Sequence, residues 1–96
     1  MLYSYECKMS ERERRYLQPL FTQIDNGFRK FKLVFLSGDI IAVEFFEYHE
    51  AYYDDDIFEI DFYVIKIFKN VTKIYEKGAS LSVSLANYPI SMEVLG

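Results

Sequence analysis

The residues this chain has little of narrow its possibilities first. Among 96 residues there is one cysteine, one histidine, two prolines, four glycines and no tryptophan. A single thiol, Cys7, cannot close an internal disulfide, and the first fifteen residues carry seven charges where a secretory leader needs an apolar run. A reducing, cytoplasmic setting is therefore the expectation. Charges break every apolar stretch well short of the roughly 18 residues of a membrane-spanning helix, so no membrane partner is expected. The glycines stand apart from one another, which leaves no phosphate-cradling loop. Positive charge is also missing from the middle: Leu33 to Ile65 contains no lysine or arginine and nine acids.

Hydrophobic residues make up 51% of the chain and aromatics 19%, as nine Phe and nine Tyr. That is the composition of a folding chain, and its length suits one domain over residues 1–96. Ser10 and Glu13 have the spacing of a capping box, so a helix is expected over about residues 10–25. Tyr16 or Leu17, Leu20, Phe21 and Ile24 form its apolar stripe. Pro19 removes an amide donor inside this span, which predicts a kink or two short helices with Pro19 opening the second. Asp25-Asn26-Gly27 ends the element.

From Phe28 the period changes to two. Phe31, Leu33 and Phe35 share one strand face, and Ser37-Gly38-Asp39 turns the chain. Ile40 to Tyr48 is a second strand and Ile57 to Phe68 a third, with Phe58, Ile60, Phe62 and Val64 on one face and Ala51 to Asp56 as the intervening loop. Asn70 to Gly78 fits either a capped helical turn or a short strand with a turn, with the latter favoured. Leu81, Val83 and Leu85 alternate with serines, and Pro89 opens a last edge strand holding Ile90, Met92 and Val94. The expected fold is mostly β (α+β): an N-terminal helix, then a five-stranded, strongly bent antiparallel meander or small barrel.

This order resembles the Sm-like and SH3-like small barrels. The resemblance rests on the N-terminal helix, a first strand ending in Leu36-Ser37-Gly38-Asp39, two long central strands and a short final one. It implies the barrel-like fold. The uridine-binding residues of the Sm-like family have no counterparts here, so RNA binding is not implied with it.

Charge is distributed unevenly, at +3 over Met1 to Lys32, -9 over Leu33 to Ile65 and +2 over the remainder. One reading makes the acidic middle a solvated rim; the other makes it a recognition surface that steers a partner. The same hairpin crowds Phe45, Phe46, Tyr48, Tyr52, Tyr53, Phe58, Phe62 and Tyr63, more rings than one small core can hold. Phe46, Tyr48, Tyr52 and Tyr53, rimmed by Glu47, Asp54 and Asp55, are therefore the candidate contact residues for a protein partner or a second copy. Arg12, Arg14, Arg15, Arg29, Lys30 and Lys32 are the alternative, a basic face for nucleic acid. Asp54-Asp55-Asp56, near Glu47, His49 and Glu50, lacks the spacing and glycine of a calcium loop, so no metal site or cofactor is expected. Cys7 and His49 have no third group to complete a nucleophilic site, so the expectation is a non-enzymatic, self-associating interaction module.

Overall fold

The computed structural model describes residues 11–50 and 58–96, with Glu50 placed by its backbone alone. Helix α1 spans Glu11–Tyr16 and α2 spans Gln18–Asp25. The break at Leu17 follows from Pro19, which sits in the first turn of α2 where its missing N–H costs no helical bond. Leu17, Leu20 and Phe21 are buried as one stripe. Ser10 lies outside the described residues. Glu13, expected to reach back to the cap, is instead buried, and its Oε2 accepts the backbone N–H of Phe58 at 3.1 Å.

Five antiparallel strands follow: β1 (Lys30–Val34), β2 (Ile40–Glu50), β3 (Phe58–Lys69), β4 (Ser80–Val83) and β5 (Ser91–Val94). Their order in the sheet is β4-β3-β2-β1-β5. The meander therefore holds only through β4, because β5 crosses back to pair with β1, matching Phe31 to Val94 and Leu33 to Met92. Among the described residues the sheet is open and no barrel closes. Its edges are the two four-residue strands β4 and β5, and β4 covers β3 only from Ile60 to Tyr63.

One face of this sheet packs on the helices. Phe31, Leu33, Ile41, Val43, Phe58, Ile60, Phe62 and Val64 meet Leu17, Leu20 and Phe21 there in a single core. The strict alternation of β3 from Phe58 to Val64 is the reason: burying every second residue there satisfies the backbone ladder and the hydrophobic effect together. Phe62 lies at the centre, edge-on to Phe31 at 6.1 Å and to Phe45 at 6.3 Å. Ile90 leaves this pattern and is exposed, whereas Met92 and Val94 pack on the core.

Residues 70–79 form neither the favoured short strand nor a helix; a buried carboxylate holds them as an ordered loop. Asp39, in the turn before β2, accepts Ser37 Oγ, the Thr72 backbone N–H at 3.0 Å and Thr72 Oγ1 at 2.8 Å. Gly38 adopts φ +97°, and a Cβ there would lie 3.3 Å from Val71 Cγ2, so turn and loop are fitted to each other. Tyr75 then stacks on Phe35 at 5.6 Å. Burial pushes the Tyr75 phenol above its ordinary 10.0, against a hydrogen bond from Asn87 and with the Asp39 charge adding to the rise.

Two outcomes are expected. Replacing Phe62 by Ala should cost about 3–5 kcal/mol in urea unfolding, through lost burial and an unfilled cavity. Asp39 carries opposing effects: burial raises its carboxyl, but the hydrogen bonds from Ser37, Thr72 and the Val71 amide outweigh it and hold the group below 3.8. The stabilisation from its ionised form is thus complete above that value and lost as pH falls through the lower folded one. Unfolding curves of wild type and Asp39→Asn should differ by a constant amount near neutrality and converge in acid below pH 3.8.

Candidate binding face

Among the described residues no helix lies over the second face of the sheet, and its composition is set by irregularities in the β2–β3 pairing, of which the one at Phe46 matters most. Along β2, Ile41 and Val43 are buried and Phe45 packs against the core. The register with β3 then slips between Phe45 and Glu47, leaving Phe46 as an extra residue in the strand. Beyond it the side-chain parity is reversed. Tyr48 points inward, stacked on Phe45 at 6.1 Å and edge-on to Phe21 at 6.0 Å. Glu47 and His49, which strict alternation would have sent into the core, face outward.

Followed along the two long strands, this outer face is ordered by chemistry. At one end Lys32 and Lys66 both pair in register with Ala42, and their ammonium groups lie 4.9 and 5.0 Å from the Phe68 ring. In the middle Phe46 and Tyr63 meet with ring centres 4.9 Å apart. Phe46, Tyr63 and Phe68 are 48%, 41% and 46% exposed, so this face presents three large rings to its surroundings. At the other end Glu47 stands opposite Asp61, and His49 opposite Glu59. His49 Nε2 lies 3.0 Å from Asp61 Oδ2, an ion pair whenever the imidazole is protonated, and Ser82 Oγ donates to Asp61 Oδ1 at 2.7 Å.

Of the candidates read from sequence, Phe46 and Glu47 do lie on this face. Tyr48 does not, because the bulge turns it to the core. Tyr52, Tyr53, Asp54, Asp55 and Cys7 lie outside the described residues. The six basic residues do not form one face. Arg12, Arg14 and Arg15 belong to α1, in the layer over the inner side, while Lys30 and Lys32 alternate with inward Phe31 and Leu33 and so point the other way. Arg29 turns toward Phe45, 5.4 Å from its ring. Sequence reasoning did not single out Asp61, Lys66 and Phe68 and counted Tyr63 only among the crowded rings. Alternation gave the face of Asp61 and Tyr63, whereas Lys66 and Phe68 reach it only because the register slips at Ile65, which turns Ile67 to the core instead.

Comparison with protein-family models, with curated proteins and with solved structures finds no match to this chain. The site must therefore be interpreted from its own chemistry. The bulge makes a direct test available: in dilute solution Phe46→Ala should change unfolding free energy by under about 1 kcal/mol. Phe45→Ala, one residue away, should cost about 2–3 kcal/mol because it opens the core. Equal losses in urea denaturation would place both rings inside.

Proposed function

We propose that this chain is a non-enzymatic interaction module that pairs with a second copy of itself through the outer face of the sheet, the one on which none of the described helices packs. One observation carries the reading: lysines, then exposed rings, then carboxylates follow one another along β2 and β3. A surface ordered in this way is complementary to itself. A two-fold axis lying across the strands at Phe46 and Tyr63 sets each lysine end over the other copy's acidic end and brings the four rings together at the centre. Charge fixes the register and the rings supply the buried area, the division of labour common at protein interfaces.

A stacking platform for single-stranded nucleic acid is the competing reading, favoured by Phe68 between two lysines. Glu44, Glu47 and Asp61 beside the central rings would repel its phosphates, so the protein partner is preferred.

Sedimentation equilibrium should give twice the 11.5 kDa of the chain at high concentration and low salt. The dimer should dissociate in about 1 M salt, where screening shortens to roughly 3 Å. Phe46→Ser with Tyr63→Ser, and separately Lys32→Gln with Lys66→Glu, should leave folded monomers by circular dichroism. A wild-type chain that stays monomeric throughout, or one that binds single-stranded RNA at low salt through those lysines, would overturn self-association.

A further inference from the structure

We propose that Glu47, His49 and Asp61 form a binding site for a divalent transition-metal ion of the zinc class. Glu47 and His49 are two apart on β2 beyond the bulge, so both project from the same side of the strand. Asp61 is the register partner of Glu47 on β3, and one ligand atom from each of the three residues lies within 4.8 Å of the other two. Ligand atoms about 2.0–2.2 Å from zinc stand about 3.3–3.6 Å apart in a tetrahedral site. The 3.0 Å between His49 Nε2 and Asp61 Oδ2 is already close to that spacing, and rotation of the exposed Glu47 side chain supplies the remainder.

The site is more than an accumulation of acids. The one histidine of the chain has its Nε2 directed at Asp61, and Ser82 Oγ holds the other oxygen of the same carboxylate. A hydroxyl that orients a ligating carboxylate is what stabilises such sites from outside the ligand set. Glu47 and Asp61 also face each other directly across the strand pair, an arrangement of like charges that weakens a sheet and that a bound cation reverses. An imidazole nitrogen with two carboxylates favours zinc-like ions over calcium or magnesium, which take oxygen alone. Three protein ligands at partly exposed positions leave a fourth place for water or for a group from elsewhere.

The site needs a single chain, so it does not depend on self-association. Isothermal titration of the full chain with zinc chloride, repeated on a Cys7→Ser chain to remove the thiol as a competing ligand, should saturate at one ion per chain. His49→Ala, Asp61→Asn and Glu47→Gln should each weaken binding more than about tenfold, and Ser82→Ala about tenfold. Circular dichroism should show the same fold in every variant, and Glu47, being exposed, is the substitution least able to disturb it. Excess calcium should not displace zinc. The Phe46→Ser, Tyr63→Ser chain, in which no second copy's lysines lie over the acidic end, should bind one zinc at least as tightly as wild type, which separates failure of this site from failure of the dimer. Absence of binding, undiminished binding in His49→Ala, or equal competition by calcium overturns the proposal.

Discussion

The segment Val43-Glu44-Phe45-Phe46-Glu47-Tyr48 cannot form a regular strand and also bury its best core residues. Phe45 and Tyr48 are three apart, which in an unbroken strand sends them to opposite faces. An extra residue at Phe46 resolves the conflict: both rings reach the core and the pairing with β3 resumes one step out of phase. The outer surface inherits the rest. Phe46 is left beside Tyr63, Glu47 comes to face Asp61, and His49 arrives within hydrogen-bonding distance of the same carboxylate.

A second constraint works from the opposite end of the hairpin. Asp39 is buried, and a buried carboxylate is tolerable only when donors surround it. Two of those donors come from Thr72, far along the chain, so the turn before β2 and the loop after β3 are tied to each other. The Phe35 and Tyr75 stack lies over the same junction. The lysine end of the outer face is thereby supported by a polar knot, and the acidic end by the Glu13 contact to the start of β3.

Much of the fold was legible because local rules and burial agree there. The Pro19 break, the Ser37-Gly38-Asp39 turn and the alternation of β3 from Phe58 to Val64 all occur as the residues dictate, whereas the register slip at Ile65 reverses the faces of Lys66, Ile67 and Phe68 beyond it. What could not be read depends on contacts distant in sequence. The partner of β5 is β1 because Met92 and Val94 complete the core on that side, a choice that no local pattern encodes. Residues 70–79 contain helical and strand spacing but obey Asp39 instead. Of the site, Phe46 and Glu47 were evident as exposed members of a crowded hairpin, while Tyr48 was assigned to the wrong side because a bulge leaves no mark in composition. Asp61 became a neighbour of His49 only through register.

The stretch of β3 beyond Tyr63 that β4 leaves uncovered has a consequence for how this chain can associate. Val64 is paired there with Gly78 and Ala79, but an edge left without a neighbouring strand is a template for another strand, the route by which open sheets grow into fibres. Lys66 and Lys69 stand on that stretch, and an incoming strand would have to crowd two solvated ammonium groups to dock there. The two true edges are only four residues long and offer little to grip. Ribbon-like growth is thus discouraged along the described edges of the sheet.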